Sequence, residues 1–437
     1  MSQYKAYPAY KDSGVEWIGQ VPEEWKTGKL KHLGTLKGGS GFPIDMQGRP
    51  DNELPFYKVG DLSKSQDNIS LIGSSNTISR SEAKDLGATV FPNNTIAWAK
   101  IGAALLLNRR RISRTACCLD NNMTGFIVDS KKVPVKYAFY LMNAIDFSFF
   151  ARPGAVPSLS EGEQSSIPIA IPSYEESLTI AATLDRETAR IDALIEKKTR
   201  FIELLKEKRL ALITHAVTKG LDSNAKMKDS GVEWIGQVPE HWEVVPSTWL
   251  FVESKERAHE DDQHLSATQK YGVISLAEYE QLEGRQVTHA VKNLEQRKHV
   301  ELDDFVISMR SFQGGIERVK ALGCVRSSYV VIQAGDGADK NYFAYLFKSG
   351  SYIQGLQATS SFIRDGQDLN YGNFRQVRLP KPGSDEQMQI AKFLDQETAR
   401  IDALARTTEQ SITLLKERRA AFITAAVTGQ IDLRGKQ

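Results

Sequence analysis

Lys11–Trp25 reads KDSGVEWIGQVPEEW, and Lys228–Trp242 reads KDSGVEWIGQVPEHW, one change in fifteen positions at an offset of 217. A second block, LDRETARIDAL at Leu184–Leu194, returns as LDQETARIDAL at Leu394–Leu404, offset by 210. Beyond it, LLKEKR at Leu204–Arg209 matches LLKERR at Leu414–Arg419, and ITHAVTKGLD from Ile213 matches ITAAVTGQID from Ile423. A recurrence on this scale decides the architecture before any local reading does. The 437 residues are one unit used twice.

The two offsets differ by seven, so the stretches between the shared blocks differ in length, and they share no extended identity. YAFYL at Tyr137 and YFAYL at Tyr342 are their main echo. Shared connectors around divergent inserts imply two separate recognition tasks on one frame. The segments read as 1–25 (repeated segment), 26–172 (first insert), 173–222 (helix), 223–242 (linker with repeated segment), 243–382 (second insert) and 383–437 (helix and tail). Within the inserts, Phe91–Leu107 and Asp304–Met309 have the apolar runs and flanking breakers of strands. Val133–Asp146 and Lys340–Ser349 read as short helices.

From Tyr174 to Thr218 there is no Pro or Gly, and strong helix formers dominate; Asp385–Thr428 behaves alike. A helix of some 44 residues would extend roughly 65 Å and needs a partner along it. A heptad frame places Leu184, Ile191, Leu205 and Leu212 at d with Ile195 and Ile202 at a. The second copy places Leu394, Ile401, Leu415 and Phe422 at d with Ile412 at a. Lys198, Arg209 and Arg419 interrupt this seam, while Leu194, Phe201, Leu204 and Leu414 widen it toward a multi-helix face. The expected fold is α+β: two mixed α/β heads separated by two long antiparallel helices, a coiled-coil spacer, with a pseudo-twofold internal repeat. A ruler with a reader at each end is the shape implied.

Composition excludes several classes. With 41% hydrophobic and 25% charged residues the chain is an ordinary globular protein. No apolar run approaches the ~18 residues of a membrane span, and the start lacks the apolar core of a signal peptide. A cytoplasmic location and no membrane partner are expected. Cys117, Cys118 and Cys324 have no metal or redox spacing, and the seven histidines form no HExxH, so no metal site and buried reduced thiols are expected. Phosphate-loop, GxSxG and Asn-Pro-Pro-aromatic motifs are all missing, so no catalytic residue is assigned. Pro50-Asp51 with Glu82-Ala83-Lys84 meets only the loosest nuclease pattern.

The net charge of +2 is unevenly spread. Lys26–Pro172 has 18 basic and 12 acidic residues, whereas Glu243–Pro382 has 17 and 18. In the basic insert, Lys100, Arg109, Arg110, Arg111 and Arg114 precede any acid before Asp120 and form a candidate DNA patch. In the other, Arg310, Ser311 and Gln313, beside Gly314 and Gly315, and then Arg364 and Gln367, are candidate base readers. Arg and Gln make bidentate contacts to guanine and adenine edges.

The paired SGVEWIGQVPE openings, the paired ETARID helices and the divergent stretches between them resemble the specificity subunit of type I restriction-modification systems. AWAKIGAALLLNRR at Ala97, DNNMTGF at Asp120 and DFVISMRSFQGGIERV at Asp304 are similar to stretches of that family's target-recognition domains. The resemblance implies one half of a split double-stranded DNA site read by each head, with the helices setting the gap. It further implies two modification subunits that methylate an adenine in each half, and motor-nuclease restriction subunits that join for cleavage. S-adenosylmethionine, ATP and Mg2+ would sit on those partners, leaving this chain without a cofactor. A stand-alone bipartite DNA-binding regulator and a coiled-coil scaffold without sequence preference are the alternatives.

Overall fold

The computed structural model describes residues 4–65, 67–152, 154, 156–284, 286, 296–308, 311–359 and 370–435. The chain divides into two compact units, Met1–Lys198 with Gln410–Gln437, and Thr199–Glu409. Each unit holds one head, one repeated segment and a stretch of both long helices, so the units cut across the linear segments.

The two repeated segments fold alike. Tyr10–Asp12 pairs antiparallel with Gln20–Pro22, and Met227–Asp229 with Gln237–Pro239. Each closes on a fully buried tryptophan whose indole N–H donates to a glutamate in the first turn of a long helix, Trp25 to Glu176 at 3.1 Å and Trp242 to Glu386 at 3.0 Å. A buried indole needs such an acceptor, which explains why the motif ends in Trp. The single change in fifteen positions follows its surroundings: Glu24 lies 3.2 Å from Arg434, while His241 meets Glu386 at 2.9 Å.

The long helices are Tyr174–Lys219, 46 residues, and Ser384–Val427, 44 residues. Glu175 and Glu176 open the first, and Asp385 and Glu386 the second, placing negative charge where the helix dipole favours it. Gly220 and Gly429 follow their last turns at φ +77° and +74°, left-handed positions that end helices. A Cβ on Gly429 would stand 2.3 Å from Pro22 Cδ, so close packing also demands glycine there.

In the first unit the helices run antiparallel: Asp192 pairs with Arg419 at 2.9 Å, and Glu176 lies 3.9 Å from Arg434 in the tail. In the second, Arg209 pairs with Asp402 at 3.2 Å, and Gly220 stands against Glu386. Arg209 and Arg419 are repeat equivalents, as are Asp192 and Asp402. Arginine of each copy therefore meets aspartate of the other. The two arginines that break the apolar seam reach across it.

The remaining seam positions are buried or half-buried. Leu184 and Leu394 are fully buried, and Ile202, Leu205, Ile401 and Phe422 nearly so. Ile191, Ile195, Leu212, Ile412 and Leu415 are half-buried, whereas Leu194, Phe201, Leu204 and Leu414 are exposed.

Each head opens and closes on one strand pair, Lys26–Lys29 with Pro168–Ile171 and Glu243–Pro246 with Arg378–Lys381. The first head holds a five-stranded sheet ordered Gly34–Gly38, Met123–Val128, Ile96–Ala99, Arg110–Ser113, Ser70–Leu71. A three-stranded sheet of Cys118–Leu119, Leu54–Tyr57 and Thr77–Ile78 lies in the same head. The second head has a four-stranded sheet ordered Phe251–Ser254, Val330–Ala334, Phe305–Ile307, Glu317–Arg318. The run Phe91–Leu107 is not one strand. It pairs over Ile96–Ala99, breaks at Gly102 with φ +74° and turns helical at Ala103–Leu106. The helices read at Val133–Asp146 and Lys340–Ser349 form as Val135–Ala144 and Lys340–Leu346.

In both heads a tyrosine of this helix joins the frame. Tyr140 donates to Asp185 and contacts Thr188, and Tyr345 donates to Asp395 and contacts Thr398. Tyr342 Oη, fully buried, donates to the Val217 carbonyl at 2.7 Å, and Tyr137 Oη approaches the Val427 carbonyl at 3.5 Å. These bonds are the physical content of the YAFYL and YFAYL echo. All three cysteines are buried and unpaired, and burial pushes the Cys117 thiol up to about 12 and that of Cys118 to about 11. Among the described residues no helix is long and apolar enough to cross a membrane.

Candidate nucleic-acid interface

The arginine run of the first head spans and flanks the strand Arg110–Ser113, which pairs in parallel with the edge strand Ser70–Leu71. Side chains alternate across a strand, so neighbouring arginines part company. Arg110 points inward and is fully buried; it donates to the Asn108 and Ile145 carbonyls, both at 2.6 Å, and its guanidinium covers the Phe147 ring at 4.0 Å. Burial pulls its pKa down to about 9. Arg111 is also buried, and it donates to the Arg110 carbonyl at 2.8 Å and to Asn68 Oδ1 at 3.0 Å. Desolvation, with Arg109 close by, lowers its pKa too. Both were expected on the DNA face. They are instead internal fasteners, because the strand carries them into the sheet's packing layers.

Arg109 and Arg114 stay at the surface and grip the same loop. Arg109 donates to Ser63 Oγ, and Arg114 Nε donates to Ser70 Oγ at 2.8 Å, with its guanidinium 3.9 Å from Asp67. Asp67 in turn accepts from the Ile69 and Ser70 amides and the Ser65 and Ser70 hydroxyls. Partial burial opposes its charge, but these bonds outweigh that and hold the carboxyl well below the usual range. The result is an anchored edge with two half-available cations. Lys100 follows Ile96–Ala99 and is half-buried; its Nζ would stand 3.0 Å from a Cβ on Gly38, whose amide donates to Glu161 at 3.1 Å. A side chain at position 38 would displace the lysine.

In the second head, Ser311 is 1% exposed, and its Oγ accepts from the Ser308 amide at 3.0 Å. That bond closes a turn and removes Ser311 from the candidate readers. Gln313 is exposed on the short helix Ser311–Gly314. Arg310, Arg364 and Gln367 lie outside the described residues.

A cleft of about 320 Å³ beside this helix is lined by Gln269, Lys270, Tyr271, Arg318, Lys320 and Lys348, among others. Two of its cations are committed: Lys348 binds Glu317 and the Gly314 carbonyl, and Arg318 binds Asp303 and Asn341. Lys270, 4.6 Å over the Tyr271 ring, and Lys320 are exposed. Burial pushes the Glu317 carboxyl up against the pull of Lys348. Fifty positions separate Lys270 from Lys320, so no run of cations marked them. The one sequence signal was a Gln-Lys-Tyr-Gly hairpin tip, with Gly272 at φ +83°.

One carboxylate of the loose nuclease pattern, Glu82, is taken up by local structure. Glu82 caps the helix Arg80–Asp85 by accepting from the Ser79 amide at 2.7 Å, and it pairs with Arg49 at 3.0 Å.

Residues 22–204 match the family described as the type I restriction modification DNA specificity domain. Two solved structures resemble the chain along nearly its full length. One, from work on complex assembly and conformational transition of the type I R-M system, gives a TM-score of 0.66 at 12% identity, covering 95% of this chain and 99% of that one. The other, the HsdS subunit from Thermoanaerobacter tengcongensis, gives 0.53 at 13% identity, covering 94% and 98%. Residues 22–204 therefore match the type I restriction modification DNA specificity domain, and the chain shares, along nearly its whole length, the fold of these two structures.

Proposed function

We propose that this chain reads a bipartite double-stranded DNA site, one half per head, and directs adenine methylation and restriction carried out by partner subunits. The observation that carries the reading is the contrast between frame and heads. The frame repeats down to single hydrogen bonds, Trp25 to Glu176 as Trp242 to Glu386, while the surfaces of the heads differ in sheet order, charge and side chains. A duplicated support under two unlike faces suits two unlike half-sites.

The partners are two modification subunits and motor-nuclease restriction subunits, with S-adenosylmethionine, ATP and Mg2+ bound by them and catalysis left to them. Leu194 and Leu414, exposed on the helix faces of the first unit, offer apolar surface for a modification subunit. The spacer helices set the unspecified gap.

Genome-wide mapping of methylated adenines with this chain and its modification partner tests the reading. A two-part site with a fixed gap is expected. Exchanging residues 26–172 for another head should change one half alone. Change in both halves overturns the division of labour, and methylation without any sequence preference favours the scaffold alternative.

A further inference from the structure

The second head gathers two histidines that lie forty positions apart in sequence, at His259 and His299. Their rings stack with centroids 4.1 Å apart and planes 24° from parallel. Glu256 Oε1 lies 3.1 Å from His259 Nε2, and one ligand atom from each of Glu256, His259 and His299 lies within 4.8 Å of the others.

Behind them stands an orienting carboxylate. Asp262 Oδ2 is 2.9 Å from His299 Nδ1, and its other oxygen 3.1 Å, while the His259 amide also donates to Oδ2 at 2.9 Å. A proton held on Nδ1 by Asp262 leaves the Nε2 lone pair of His299 open. Metal-binding histidines are oriented in this way by a carboxylate on the far nitrogen. Cys324 faces His299 across the strand pair, yet its sulfur accepts from Arg297 at 3.2 Å and burial raises the thiol, so it is not counted among the donors.

We propose that Glu256, His259 and His299 bind one divalent transition metal ion, with Zn2+ the best match, and that the ion fastens the chain after Phe251–Ser254 to the strand Lys298–Val300. Two imidazoles and a carboxylate are a borderline-soft set suited to zinc, and bonds near 2.0 Å place tetrahedral ligand atoms about 3.3 Å apart, close to the Glu256–His259 separation. The sequence reading expected no metal, because neither helical spacing nor a short motif links these residues. The proposal is independent of the DNA-reading role.

The test uses the untagged full chain, stripped with chelator and titrated with Zn2+ against a chromophoric competitor. One ion per chain is expected, with a dissociation constant below about 10 µM, and a rise in melting temperature. Glu256 and His259 are exposed, so the double variant Glu256→Gln, His259→Ala should melt as wild type without metal, yet bind at least about tenfold more weakly and lose the zinc-induced rise. Asp262→Asn should weaken binding by about tenfold through His299. If the double variant melts low without metal, Glu256→Gln alone is measured against the same tenfold threshold. No binding at 100 µM (about the weakest useful affinity), or a loss below tenfold in the variant, overturns the proposal.

Discussion

Arg110 and Arg109 are neighbours with opposite fates, and the difference is measurable. Arg110→Ala would strand the Asn108 and Ile145 carbonyls and uncover the Phe147 face, so a loss on the order of 3 kcal/mol is expected in chemical denaturation. Arg109→Ala removes a half-exposed contact to Ser63 and should leave stability within about 0.5 kcal/mol of wild type. In the complex proposed above, the same variant should weaken DNA binding and lower the salt dependence by about one unit of slope. Equal destabilisation by both variants would place Arg109 with the core. The sequence showed that this run was cationic, and Arg109 and Arg114 do reach the surface. It did not show that strand alternation and the pairing with Ser70–Leu71 bury Arg110 and Arg111. Burial of a long cation depends on which carbonyls the fold brings within reach, here those of Asn108 and Ile145, and no local pattern encodes that.

The long helices were legible almost to the residue, since the lack of Pro and Gly and the periodic apolar positions are local signals. Their partner contacts were less so. Arg209 and Arg419 read as breaks in a seam, yet each crosses to an aspartate of the other copy. These pairs are partly exposed, so each contributes about 0.5 kcal/mol. Arg209→Asp alone should cost somewhat more through like charge against Asp402, and adding Asp402→Arg should restore stability; failure of the double reversal would show the pair to be incidental. Lengthening both helices by one turn, within Lys197–Leu205 and Thr407–Leu415, adds about 5.4 Å. With base pairs spaced by about 3.4 Å, the gap in the proposed bipartite site should grow by about one or two. An unchanged gap would remove the helices from its control.

For the molecule as a whole, the internal repeat exposed the frame, and the divergent inserts hid the sites. Glu256, His259 and His299 meet only after the second head has folded, and Lys270 and Lys320 line one cleft only then. The tail is equally nonlocal. Gln430 donates to the Gln20 carbonyl at 2.7 Å, Asp432 bridges to Lys5, and the Arg434 guanidinium sits 4.8 Å over Tyr7. Deleting 430–437 should lower the melting temperature of the first unit, read by proteolysis within Met1–Lys198, and spare the second; equal loss in both would show that the units do not melt separately.

The same tail dictates an order of assembly on the ribosome. Thr199–Glu409 is an unbroken stretch and can finish folding as soon as it emerges, but the earlier-made unit must await Gln410–Gln437. Ile180, Ala181 and Leu184 then stay without Phe422, Ile423 and Ala426, members of the same core cluster, until that stretch has been made. At elongation speeds of about 5–20 residues per second that interval is on the order of tens of seconds, so the unit begun first is the unit completed last, and its apolar face is bare while the other unit folds.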